Sequence, residues 1–251
     1  MRFYLKVNLV YEAMLKTPKV PFEFFSLWYN SYMRNRDYKN FTKGHIYHIY
    51  NRGNNKEVVF RDKQDYRAFL FRLGLAFGIK TDELNKCEIT KSLKSKIRIC
   101  GFKSDDFKLH AFCLMPNHLH LLIEQCNNES ISTLLLKVFT SFAKYINSKY
   151  KRVGHVFQDQ FKSVRIGTNP QLMLISSYIH MNPVKDSMVD KPENYKWSSY
   201  ADFVVNRSDP IIHRKFLTEI FGNKNNFIKE NIRLYKTISK VPFEFLDLWC
   251  N

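Results

Sequence analysis

Residues 108–125 read KLHAFCLMPNHLHLLIEQ. Two β-rich apolar runs, 108–116 and 117–125, meet at Pro116-Asn117, a turn pair, and read as two antiparallel strands of a hairpin. Side chains alternate between faces along a strand. His118 and His120 therefore project together from one face, while Leu119 and Leu121 point into the core. A buried strand would more cheaply carry Val or Ile there, so the imidazoles need a reason. Two at this spacing can hold one metal ion. They can equally be satisfied histidines on a sheet surface. A zinc hydrolase is a further reading, but that chemistry generally brings more ligands close by, and here Leu121-Leu122 follow.

HIYHIYNRG (45–53) alternates and reads as a strand ending at Gly53. In 63–78, Phe69, Leu70, Leu73 and Phe77 recur at helical spacing. Residues 79–106 are polar and Lys-rich, an excursion between elements. A helix is expected over 130–150, capped by Ser130, with Leu134, Leu135, Val138, Phe142 and Ile146 as its buried stripe. GHVFQDQFKSVRI (154–166) reads as another strand. Residues 170–182 read as a helix that Pro183 stops. KWSSYADF (196–203) and two short basic helical stretches follow. The order β-α-β-β-α-β predicts an α+β fold: a ferredoxin-like, split βαβ antiparallel sheet with helices on one face, plus a C-terminal helix and extensions.

The 251 residues suffice for one large domain with appendages. Forty Lys+Arg against 23 Asp+Glu give a net charge of +17. Such a chain attracts polyanions, and nucleic acid is the first candidate. Aromatic residues, at 16%, add the stacking surfaces that bases use. No run has the length of a membrane span or the apolar centre of a secretory signal, so no membrane partner is expected. Five cysteines without a CxxC pair argue against a disulfide framework and a zinc knuckle.

One peptide occurs twice. KVPFEFFSLWYN (19–30) and KVPFEFLDLWCN (240–251) agree at nine of twelve positions. Either both copies dock on equivalent surfaces, or a repeated DNA element is translated at both ends. Met33 is a candidate alternative start. The expected organisation is an appendage over 1–42, a domain over 43–203 and a helical extension over 204–251.

A second stretch bears on the histidine pair. SSYIHMNPVK (176–185) sets Tyr178 and Asn182 four apart, on one helix face. Asn182 offers an amide oxygen, a hard ligand suited to Mg²⁺ or Mn²⁺. With His118 and His120 it would make a three-ligand site with open positions for phosphate oxygens. Taken alone, Tyr178 could be an ordinary packed tyrosine. His180 falls on another face of the helix.

PNHLHLL resembles the HUH motif, and YIHMNPVK resembles the nucleophile helix of the one-tyrosine HUH transposases. HIYNRGNNKEVVF (48–60), NSKYKRVGHVFQDQFKS (147–163) and YKWSSY (195–200) are similar to the REP-associated tyrosine transposases, a branch of that group. The ordered blocks cover roughly 43–203 and leave out 1–32 and the final repeat. The resemblance implies the ferredoxin-like fold already read from element order. It implies that Tyr178 is the nucleophile, and that His118, His120 and Asn182 hold Mg²⁺ or Mn²⁺. It further implies cleavage and rejoining of single-stranded DNA near hairpins through a 5′-phosphotyrosine. Metal polarisation of the phosphate then compensates for a phenol that is mostly protonated at neutral pH. A homodimer and a bacterial cytoplasmic, nucleoid-associated location go with the same resemblance.

Candidate DNA contacts are His48, Asn51 and Arg52 at the end of the first strand, with Lys149, Arg152, His155, Gln158 and Lys162 further on. Each has a structural alternative as a sheet-edge cap or solvated charge. Trp197 and Tyr200 read as core. Two other classes of function stand beside the enzyme. One is a domesticated, non-catalytic DNA-hairpin binder. The other is an RNA-binding ferredoxin-like module, which lacks its usual aromatic strand motif here and leaves Tyr178 with Asn182 unexplained.

Overall fold

Four strands form one antiparallel sheet in the order β2-β3-β1-β4: β1 His45–Arg52, β2 Phe107–Met115, β3 His118–Gln125 and β4 Lys162–Ile166. The computed structural model describes residues 40–91, 97, 99–205 and 207–238. Both copies of the repeated peptide and Met33 lie outside the described residues. Helix α1 (Lys63–Ala76) joins β1 to β2, with the short α2 (Thr81–Lys86) in the excursion that follows. Helix α3 (Ile131–Lys149) joins β3 to β4, and α4 (Asn169–Lys185) comes after β4. This strand order, with all neighbours antiparallel, is the split βαβ sheet expected from the element order.

The two crossovers in such a sheet are of one hand and place α1 and α3 side by side on one face, where they pack together. Phe142 of α3 meets Phe69 of α1, Phe60 and Phe157 with ring centroids 5.2, 5.4 and 6.2 Å away. Every residue of the expected α3 stripe is fully buried. Ser130 caps this helix by accepting from the Ser132 amide. On the sheet itself, Ile49, Leu119 and Leu121 are fully buried.

The other face of the sheet is also covered. Helix α4 packs on β2 and β3, and α6 (Arg214–Phe221) and α7 (Lys224–Ile238) pack against α4. Phe227 of α7 contacts His180 of α4 and stacks on Phe203 of the short α5 (Tyr200–Val204). The part of the extension between 204 and 238 is thus built into the core that holds α4 in place.

Two sequence expectations fail locally. Helix α4 does not stop at Pro183 but runs to Lys185. A proline removes one amide, so in the last turn it costs one hydrogen bond rather than the helix. The Asp186 amide still closes on Asn182 O, and the Met188 amide on Pro183 O. The strand expected over 154–166 forms only over Lys162–Ile166. Upstream, the backbone touches the sheet at the Gly53–Phe157 bridge and through the Gln158 amide on Arg52 O. The β-like pattern of HVFQDQF reflects Phe157 packing on Phe139 and Phe142, not strand pairing. Among the described residues, no helix is long and apolar enough to cross a membrane.

Candidate active site

The site forms where the ends of β1 and β3 meet α4. Pairing of β1 with β3 sets Arg52 opposite His118, Tyr50 opposite His120 and His48 opposite Leu122. These residues share the face beneath α4. The turn at Pro116-Asn117 is held from two sides. The Gly53 amide donates to Asn117 O at 2.7 Å, and the Val59 and Phe60 amides both donate to Pro116 O. Gly53 suits this junction because a Cβ there would collide with the Glu57 carbonyl oxygen and lie 2.7 Å from Val59 Cγ2.

Helix α4 brings Tyr178 onto the histidines. The Tyr178 ring stands edge-on to His120, 5.4 Å between centroids, and to His48 at 6.3 Å. Tyr178, Asn182, His118 and His120 line one cavity of about 150 Å³ together with Tyr50, Asn51, Arg52, Leu119, Lys185 and Asp186. The sequence pairing of Tyr178 with Asn182, and of His118 with His120, thus converges in a single place. Tyr50, Lys185 and Asp186 are additions. Tyr50 alternates with His48 and Arg52 along β1, and Lys185 continues the Tyr178–Asn182 face one turn further, so both carried a periodic signal.

Hydrogen bonds orient the donor atoms. Asn117 Nδ2 donates to Lys56 O at 3.3 Å, which turns its Oδ1 toward His118 Nδ1, 2.7 Å away. His118 Nδ1–H donates to that oxygen, leaving the Nε2 lone pair available. Asn182 Nδ2 donates to Tyr178 O at 2.9 Å, which leaves its own oxygen as an acceptor. His120 Nδ1 lies 3.0 Å from His48 Nε2. His120 Nε2 is buried and has no hydrogen-bond partner.

The imidazoles are held neutral. Burial pushes His48 down to about 3. Burial, then the positive charge of Arg52, pushes His118 down to about 4 against the opposing effect of the nearby Asn182 side chain. Burial is also the largest cause for His120, which lies well below the ordinary histidine range, with His118, His48, Lys185 and Arg52 adding to it. Neutral imidazoles with a free lone pair are metal donors. Among the described residues, no three His, Cys, Asp or Glu side chains group as a metal site. A cation here would take two imidazoles and the Asn182 amide oxygen. The buried, partnerless His120 Nε2 fits that demand.

The expected DNA contacts separate. Asn51 and Arg52 line the cavity. His48 does not reach the surface: it is 1% exposed behind His120. Lys149 is turned to α1, 2.7 Å from both Asp62 and Asp65. Hydrogen bonds to those carboxylates raise its ammonium pKa despite the opposing effect of burial. Arg152 lies 3.4 Å from Glu57. His155 and Gln158 are exposed and line a larger groove of about 780 Å³ between α3 and the 154–161 loop, which Asn51 also borders. Lys162 is half-buried on β4 beside Tyr50. His180 stays out of the site, hydrogen-bonded to Ser199 Oγ at 2.9 Å. Trp197, stacked on Tyr66, and Tyr200 are core.

A sheet carrying an HxH pair under a tyrosine-bearing helix is the arrangement of the one-tyrosine HUH transposases. Residues 41–182 match the family described as transposase, IS200 like, and the chain belongs to that family. Within it, the chain is similar to a protein of Haemophilus influenzae assigned to the REP-associated tyrosine transposases. The two are 28% identical over 144 residues, 50% of this chain and 73% of the relative. A solved REP-associated tyrosine transposase bound to a REP hairpin is similar at a TM-score of 0.48 and 15% identity, covering 70% of this chain and 90% of that one.

Proposed function

We propose that this protein cuts and rejoins single-stranded DNA beside hairpins, with Tyr178 as nucleophile and a divalent cation at His118, His120 and Asn182. One observation carries the reading. Tyr178 packs against His120 in a cavity that His118 and Asn182 also line. The net charge of +17 favours a polyanionic substrate.

In the cleavage step the Tyr178 phenol oxygen bonds to phosphorus and the P–O3′ bond breaks. The phenol proton passes to the departing oxygen, giving a 5′-phosphotyrosine and a free 3′-OH. A 3′-OH from another strand end reverses the step, so no ATP is needed. Bound Mg²⁺ or Mn²⁺ supplies Lewis-acid polarisation of the phosphate. The protein's own groups do the rest. Asn117 holds the His118 tautomer. The Asn182 bond to Tyr178 O fixes which amide atom faces the cavity. Lys185, whose ammonium lies 5.6 Å from the Tyr178 ring centroid, adds positive charge where the phosphate would sit.

The test uses single-stranded hairpins from DNA flanking the gene, labelled at one end or the other and incubated with Mg²⁺ or Mn²⁺. Wild type should retain the 5′-phosphate fragment covalently and release a 3′-OH fragment. Tyr178→Phe should bind the hairpin and cut nothing. Binding without cutting by wild type under both metals would instead make the protein a non-catalytic hairpin binder.

A further inference from the structure

Seventy-two residues separate His48 from His120, yet their rings are stacked 5.2 Å apart with Nε2 of one 3.0 Å from Nδ1 of the other. Both are essentially removed from solvent. One proton must lie between the two nitrogens, and its owner decides the state of the far side of His120. If His48 donates, His120 carries its remaining proton on Nε2, as a buried N–H with no acceptor. If His120 donates, its buried Nε2 keeps a lone pair with no hydrogen-bond partner, on a residue that lines the cavity.

We infer that His48 is a positioning residue: it accepts the His120 Nδ1–H and so holds the His120 Nε2 lone pair toward the cation site. The inference rests on the metal reading given above. Its parallel on the neighbouring ligand is Asn117, which accepts from His118 Nδ1. One ligand is therefore oriented by its sequence neighbour and the other across the sheet from β1. The same contact fixes the ring plane of His120, on which the Tyr178 edge rests. Residues that hold a metal-bound histidine in one tautomer typically change metal affinity 10- to 100-fold when removed.

Two measurements on the full chain test it. The first is the ring tautomer of His120 in metal-free protein, by long-range proton–nitrogen NMR, assigned with a His120→Gln variant. The Nδ1–H form is expected, and the Nε2–H form would overturn the inference. The second is Mn²⁺ affinity without DNA, by calorimetry, for wild type, His48→Leu, His48→Gln and His120→Ala, each checked for a native melting transition. His48→Gln puts an acceptor oxygen where Nε2 stood and should bind Mn²⁺ within a few-fold of wild type. His48→Leu should lose about 10- to 100-fold. Wild-type affinity in His48→Leu alongside loss in His120→Ala overturns this inference alone, as does His48→Gln failing as badly as His48→Leu. No difference between wild type and His120→Ala overturns the metal reading and this inference with it.

Discussion

Asn182 donates through Nδ2 to the carbonyl oxygen of Tyr178, one helical turn earlier, at 2.9 Å. The bond ties the proposed third ligand to the proposed nucleophile, so the two move as one unit on α4. It follows that Asn182→Ala should lower Mn²⁺ affinity and cleavage by at least about tenfold, the lower end for residues that merely orient ligands. Hairpin binding should persist. Calorimetry and gel cleavage check this, and unchanged cleavage would remove Asn182 from the site.

Lys149 should behave as a structural cation. It bonds Asp62 and Asp65, and the fully buried Asp65 side chain also receives the Tyr145 and Tyr150 hydroxyls. Removing Lys149 leaves the buried Asp65 carboxylate without its cation. Lys149→Met should therefore destabilise the protein by about 1–3 kcal/mol in urea unfolding. The salt dependence of DNA binding should stay as in wild type. A shallower salt slope with unchanged stability would instead make Lys149 a phosphate contact.

The buried histidines make the metal-free protein acid-sensitive, against the smaller opposing contribution of the buried Asp209, whose carboxyl burial raises to about 7. His48, His118 and His180 have folded values of about 3, 4 and 3 against an ordinary 6.5, each lowered first by burial. A lowered folded value means that the unfolded chain binds more protons below about 6.5. The contribution is then fully present above that pH and is lost as pH falls toward the folded values. Each group contributes a slope of about 1.4 kcal/mol per pH unit inside that window. Melting temperature should fall steadily from pH 7 to pH 5, and less steeply in His180→Gln, which lies outside the site. A melting temperature independent of pH over this range would contradict the burial of neutral histidines.

Gly53→Ala probes the junction of β1 with the HxH turn. Its new methyl would meet the Glu57 carbonyl and Val59, both beside the segment that pins Pro116. Overpacking of this kind costs about 1–3 kcal/mol. Loss of thermal stability together with reduced cleavage is expected. Wild-type stability would mean that the 53–59 segment yields easily and does not brace the turn.

Much of the fold could be read from local pattern. Alternation gave β1, two β-rich runs joined at Pro116-Asn117 gave the β2–β3 hairpin, and the stripe of α3 gave its buried face. Local pattern misled where long-range contacts decide. HVFQDQF looks like a strand because Phe157 is buried, yet its backbone meets the sheet only at isolated points. Pro183 looks like a stop because its lost amide matters in mid-helix, whereas here it falls in the last turn. The site divides in the same way. His118 with His120 and Tyr178 with Asn182 are set by strand and helix periods. The contact of His48 with His120 depends on sheet register between distant strands, and the pairing of Lys149 with Asp65 on helix packing. Neither leaves a trace in spacing.

Tyr178 is the residue proposed to carry the cut strand. Its most direct test is peptide mapping of the protein after incubation with a cleavable hairpin and Mn²⁺, followed by nuclease trimming and mass spectrometry. One nucleotide-bearing peptide is expected, spanning 176–185, with the modification on Tyr178. A nucleotide on any other residue, or a cleaved hairpin without covalent protein, would contradict it.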